Sequence, residues 1–184
     1  MFSFKFLNIF SLLSIFAVIN MFFTTAKSAE FYVDPDNPSV LSEILSEASM
    51  NNEDDIIYFK PGVYDLSLDL IYEPAPTETY SLTFKPAEKN KLVLINREAS
   101  NFLFKGDFSN VETGNDIKII FEDISFLDVL TDKEKEHPMI EIVGENLDIK
   151  LKNCSFLGNF INNKNSTINL KIDNSKVSIV NNIF

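Results

Sequence analysis

The chain has 184 residues, with 16 Lys+Arg against 27 Asp+Glu for a net charge of −11, one Cys, one His and no Trp. A single cysteine permits no intrachain disulfide framework and no cysteine-rich zinc site. The acidic balance argues against a nucleic-acid partner, because affinity for phosphate backbones rests on clustered cations.

These averages hide two unlike parts. Seven of the 18 Phe precede position 24, and the stretch up to Ala29 is mostly hydrophobic with only two charges, Lys5 and Lys27. Residues 1–5 carry a positive charge, residues 6–23 form an apolar run broken only by Asn8, Ser11, Ser14 and Asn20, and small polar residues follow at 24–29. That order is the pattern of a secretory signal peptide, with cleavage expected after Ser28, which puts Ala26 at −3. At about 1.5 Å per residue the apolar run would also reach about 27 Å, so an uncleaved membrane anchor is the competing reading. No second apolar run of that length follows. The expected mature body, residues 29–184, is then one domain carrying 14 Lys+Arg against 27 Asp+Glu, a net of −13. It is expected in an oxidising compartment, secreted, periplasmic or on the cell surface, with Cys154 buried as an unpaired thiol.

In chain order, residues 31–33 read as a short strand and residues 34–38 as turn chemistry. Asn37-Pro38 is placed to cap and open a helix. Val40, Leu41, Ile44, Leu45 and Ala48 recur at helical spacing with Ser and Glu between them, predicting one amphipathic helix of about three turns. Residues 56–59 read as a buried strand, Lys60-Pro61-Gly62 as a turn and residues 63–66 as the next strand. Past Tyr72 the helical period disappears, and short strands are expected at 81–84, 92–95 and 102–104.

The last third repeats itself. Residues 117–126 align without gaps to 147–156 at an offset of 30, and residues 168–177 align to the latter at an offset of 21. In each unit the first, third and fifth residues are apolar, which on a strand sets them on one face. Asp123, Asn153 and Asn174 fall at equivalent corners, and Asp and Asn tolerate the left-handed conformation a tight corner needs. Residues 146–184 contain ten Asn in 39 positions, enough for side-chain amides to stack between rungs. The extra residues of the longer repeat fit a charged loop at 131–138.

A short strand, a turn, an amphipathic helix and then Asp54-Asp-Ile-Ile-Tyr-Phe-Lys-Pro-Gly-Val-Tyr64 resembles the entry into right-handed parallel β-helix proteins of the pectate-lyase-like group. The later units, with Asn153-Cys-Ser-Phe and Asp173-Asn-Ser-Lys-Val, are similar to that group's rungs. The resemblance spans about residues 31–184 and implies an all-β, right-handed parallel β-helix solenoid whose N-terminal helix caps the first rung, in a short or truncated member of the group. Solenoid physics agrees, because no single rung can bury its apolar face and a terminal cap must cover the first. With a repeat period of roughly 20–30 residues, in the range of solenoid units, about five or six rungs fit. Residues 178–184 remain strand-like with no capping element after them, which predicts either end-to-end self-association through the last rung or a shortened relative of a longer solenoid.

Enzymes of this architecture that act on polysaccharides use aspartates to hold calcium or serve as acid and base, with Arg, Lys or His beside them. Here Arg97 is the only arginine and His137 the only histidine, and no catalytic, cofactor or metal-binding residue carries over. Asp54-Asp55 is the only adjacent Asp pair in the body, and its reading as an acidic corner outweighs one as a calcium or acid/base pair. Glu122-Asp123, with Asp148 and Asp173, are the candidates for an acidic groove, weighed against ordinary solvated corners. His137 reads as a surface-loop residue and Cys154 as a small core filler. Asn153-Cys-Ser and Asn165-Ser-Thr match the N-glycosylation tripeptide. The reading these features favour is a secreted or cell-envelope, non-catalytic binding or adhesion surface for a carbohydrate or other cell-surface ligand. The alternatives are a polysaccharide lyase or hydrolase and a remnant of a larger surface protein.

Overall fold

The computed structural model describes residues 28–97, 100, 102–112, 117–128, 137–158 and 167–184. All of the expected leader but Ser28, most of the charged loop at 131–138 and Asn165 lie outside these residues. Among the described residues fourteen strands and one helix follow one another: β1 (Ser28–Val33), α1 (Val40–Ala48), β2 (Asp54–Phe59), β3 (Gly62–Leu66), β4 (Ile71–Tyr72), β5 (Leu82–Pro86), β6 (Val93–Arg97), β7 (Phe104–Asp107), β8 (Ile117–Glu122), β9 (Ser125–Asp128), β10 (Ile140–Glu145), β11 (Leu147–Lys152), β12 (Ser155–Gly158), β13 (Ile168–Asp173) and β14 (Lys176–Val180).

Each strand pairs in parallel with its counterpart one turn away. Three sheets result, with orders β1-β2-β5-β8-β11-β14, β3-β6-β9-β12 and β4-β7-β10-β13. The chain is therefore a parallel β-solenoid, and the alternating sequence pattern explains it. Along β2 the exposure alternates half-buried and buried, and along β11 the inward Leu147, Ile149 and Leu151 are buried while Asp148 and Lys150 face out. Stacking such strands builds one continuous core that no single turn could make.

Successive turns of the first sheet are set by the registers Asp55↔Leu82, Leu82↔Ile119, Ile117↔Leu147 and Asp148↔Lys176, and the second of these spans the longest stretch of chain. Four turns are complete and β14 begins a fifth. The five or six expected from sequence are too many, because β1 and α1 use the chain before Asp54 without completing a turn and the turn from Leu82 to Ile119 exceeds the assumed period. The offset of 30 is the true register. The offset of 21 is not: β13 stacks on β10 (Ile140↔Ile168), in a different sheet from β11.

That shift reassigns the corners. Asp123, Asn153 and Asn181 turn the chain from the first sheet to the second, with φ of 58°, 54° and 54°. Asn146 and Asn174 make the corner from the third sheet to the first, with φ of 57° and 44°. All five occupy the left-handed region that Asn and Asp tolerate. Their side chains form the expected ladders: Asn153 Nδ2 donates to Asp123 Oδ1 at 2.8 Å, Asn181 Nδ2 to Asn153 Oδ1 at 3.4 Å, and Asn174 Nδ2 to Asn146 Oδ1 at 2.5 Å.

The core is an aromatic spine. Phe84 and Phe121 stack with centroids 4.7 Å apart, Phe104 meets both edge-on at 5.3 Å, and Phe126, Phe156 and Phe184 stack at 5.1 and 5.0 Å on successive turns. One end of this spine is closed. Helix α1 lies between β1 and β2 in sequence and buries Leu41, Ile44, Leu45 and Ala48. It starts at Val40, later than Asn37-Pro38 implies. Ser39 Oγ donates to Asn37 Oδ1 at 2.9 Å, which engages the expected capping side chain, and bonds such as Leu41 N to Pro38 O at 3.2 Å make the entry a tighter three-residue turn.

The first turn is locked to β1 by two contacts. Tyr64, fully buried, directs its hydroxyl at the carbonyls of Val33 and Lys60, 3.0 and 2.7 Å away. Gly62 sits at φ 155°, and a Cβ there would lie 2.7 Å from Pro35 Cγ. The Pro-Gly-Val-Tyr sequence is thus a packing requirement, since only glycine lets the Pro35 ring approach.

The other end is open. The registers Ile149↔Val177 and Leu151↔Ile179 put Val177 and Ile179 in line with the buried ladder, yet they are 43% and 51% exposed, and Phe184 is 65% exposed.

Candidate functional site

The outward positions of the six-stranded sheet make a regular surface. Tyr32, Tyr58 and Lys85 occupy one ladder by register. The two tyrosine rings stack at 4.9 Å and 13°, and Lys85 Nζ sits 4.8 Å from the Tyr58 centroid. Tyr32 is 57% exposed. Further along the same face Lys152 pairs with Glu122 at 2.5 Å and Lys150 with Asp148 at 3.1 Å. The bond to Glu122 holds the Lys152 ammonium above its ordinary range.

This geometry separates the acidic candidates. Glu122 faces Lys152 and Asp148 faces Lys118 across the β8–β11 ladder. The two carboxylates are therefore offset by four strand positions, about 13 Å. Asp123 is at the corner accepting from Asn153, and Asp173 ends β13 in another sheet, its carboxylate taking the Asn174 N–H at 2.9 Å. The four do not form one acidic groove. Asp173 instead borders a groove of about 410 Å³ between Phe108–Glu112 and the ends of β10 and β13, with Glu112, Glu145 and Lys171 also on its walls.

Asp54 and Asp55 diverge completely, because adjacent residues of a strand point to opposite faces. Asp54 accepts the Ser81 N–H at 2.8 Å near the surface. Asp55 points inward, in register with Leu82, and is 2% exposed. Its Oδ1 takes the Asn51 amide at 2.7 Å. Burial, with Glu78, Glu53 and Asp54 around it, pushes the Asp55 carboxyl up to about 7, against the smaller opposing effect of the Asn51 bond. Glu78, a loop residue with no sequence signal to mark it, is 1% exposed and accepts the backbone N–H groups of Asn52, Thr79 and Tyr80.

Arg97 also turns inward, following Val93 and Ile95 on the buried parity of β6. Its guanidinium meets Asp128 two-to-two, and its third nitrogen donates to the carbonyls of His137 and Pro138 at 2.9 and 3.1 Å. His137 itself is exposed and rests its ring against Phe102, 4.7 Å between centroids, as a surface-loop residue would. Cys154 is fully buried, and that burial raises its thiol to about 11, which makes it the inert core filler expected. Asn153 of the first glycosylation tripeptide is engaged in the corner ladder.

Among the described residues no group of three or more His, Cys, Asp or Glu is placed to hold a metal ion. No helix there is long and apolar enough to cross a membrane. No family model, curated protein or solved structure matches the chain.

Proposed function

We propose that the chain is a secreted or cell-envelope solenoid that works without catalysis, as a binding or adhesion surface for a carbohydrate or another cell-surface ligand. The observation that carries this reading is the Tyr32–Tyr58–Lys85 strip on the outer face of the six-stranded sheet. Stacked rings on a rigid sheet offer an apolar contact for the C–H face of a sugar ring, and the neighbouring ammonium offers a donor to its oxygens. The chemistry-bearing side chains inside the molecule are engaged differently, Arg97 and Asp128 with each other and Glu78 with backbone N–H groups.

The exposed apolar end supports the second half of the reading, joining to another copy through the C-terminal turn, because exposed apolar patches mark contact surfaces. The capping helix followed by the Asp54–Tyr64 first rung supports kinship with the pectate-lyase-like group, and the leader sequence supports export.

Binding of the purified protein to immobilised neutral and acidic polysaccharides tests the first half. Retention by at least one glycan, weakened tenfold or more by Tyr32→Ala with Tyr58→Ala and accompanied by no chain cleavage, is expected. Release of shortened sugar chains would replace this reading with the enzymatic one.

A further inference from the structure

The residues that leave helix α1 bond partly among themselves, and two of the bonds that tie them to the strands and loop beside them end on buried carboxylates. Ser49 O accepts the Ala75 N–H at 2.9 Å, Asn51 Nδ2 donates to Asp55 at 2.7 Å, and Asn52 N donates to Glu78 at 3.3 Å. Asn52 stands at φ 56°, so the segment takes a tight left-handed step just where these contacts converge. The negative end of the α1 dipole points into the same region. We propose that α1 is a proton-sensitive latch, closed over the first turn while Asp55 is protonated and loosened when Asp55 ionises beside Glu78.

The charged groups around Asp55 all bear on it in one direction: Asp54 comes from its own strand, Glu53 from the turn before it and Glu78 from the loop after β4. Tyr72 of β4, buried in the same region, is itself driven upward by burial, Glu78 and Asp55. Among the described residues no cation figures in the groups acting on it. Its register partners on either side, Ala29 and Leu82, cannot carry one. An ionised Asp55 therefore adds charge to a buried acidic site, and opening the α1 exit, which carries its partner Asn51, would admit water to it. The closed form holds the proton to about pH 7, whereas an open, hydrated Asp55 would release it near 4. By linkage the open fraction rises up to about tenfold per pH unit between those limits and levels off above 7.

Amide hydrogen exchange of the whole chain, corrected for the intrinsic effect of pH, tests this. Between pH 5 and 7.5 the protection of Val40–Ala48 should fall by tenfold to about 100-fold, while amides of β8 and β11 keep theirs. Asp55→Asn, which cannot ionise, should hold the helix at its low-pH protection throughout, and Glu78→Gln, which removes a charge that pushes the Asp55 carboxyl up, should shrink the loss and level it off at lower pH. Protection of α1 that changes less than twofold in the native chain would overturn the latch. So would a loss shared equally by β8 and β11, or a pH dependence that persists in Asp55→Asn when that variant folds or, when it does not, is undiminished in Glu78→Gln.

Discussion

Arg97 and Asp128, 31 positions apart in sequence, meet in the core on neighbouring turns, with Nε 3.2 Å from Oδ1 and Nη2 paired to Oδ2. The guanidinium is fully buried and also binds two carbonyls at the entry to β10. Such a pair fixes the relative position of three chain segments but adds little net stability, since desolvation offsets most of the attraction. Its removal in halves is another matter. Asp128→Ala should deprive the buried guanidinium of its counter-charge and cost about 3–5 kcal/mol, whereas Arg97→Met with Asp128→Leu should cost far less. Urea unfolding of the three proteins at neutral pH measures the difference, and equal losses would show that the pair is a direct source of stability.

Tyr64→Phe should lower stability by about 1–2 kcal/mol, because the carbonyls of Val33 and Lys60 lose a buried donor while the ring keeps its edge contact with Phe59, 5.1 Å between centroids. Thermal unfolding reads this, and an unchanged transition would mean that water replaces the hydroxyl.

Gly62→Ala should cost about 2 kcal/mol or more, because a methyl there meets Pro35 at 2.7 Å on a backbone at φ 155°, and the proline ring has no rotamer into which it can retreat. The expected sign of the defect is faster exchange of the β1–β2 ladder. A variant as stable as the native chain would place the constraint elsewhere.

Asp55 also contributes to the pH dependence of overall stability. Its folded-state pKa of about 7 exceeds the ordinary carboxylate value, so the folded chain holds the extra proton. That contribution is fully present below about pH 4 and is lost as pH rises to about 7, with up to about 4 kcal/mol at stake. Asp55→Asn should therefore be more stable than the native chain at pH 8 and nearly equal to it at pH 4 in denaturant titrations. A variant destabilised at pH 8 would assign the charged carboxylate a supporting role.

End-to-end pairing predicts a concentration-dependent dimer in sedimentation equilibrium, converted to monomer by Ile179→Asp, since Ile179 is half exposed at a core register. Helix α1 closes the other end, so the assembly should stop at two copies. A soluble native monomer at high micromolar concentration would sink the pairing.

The architecture was legible in the sequence because strand parity and the offset of 30 are direct consequences of stacking, and Ile117↔Leu147 is the observed register. The offset of 21 misled for a physical reason. In the last two turns two different corners hold a left-handed residue, so Asp173-Asn174-Ser175 imitates Lys152-Asn153-Cys154 although it joins other sheets. The buried charges were harder to see. Parity alone puts Arg97 with Val93 and Ile95 on the inward face, but a lone cation breaks the apolar pattern that marks such a face. Asp55 shares a dipeptide with a surface Asp54, and only the register of β2 against β5 tells them apart. Glu78 lies in a loop whose path the local sequence does not specify.

The stacking of Phe126, Phe156 and Phe184 on successive turns has a mechanical consequence. Each turn touches only the one before and the one after, and closing it means bringing together strands far apart in sequence, which is slow. The terminal ring has a neighbour on one face only. A load applied at Phe184 would therefore peel the coil away one turn at a time, starting at the turn with least buried surface and meeting the aromatic core of β5 and β8 late. Refolding would run the opposite way, growing outward from the part already closed by α1.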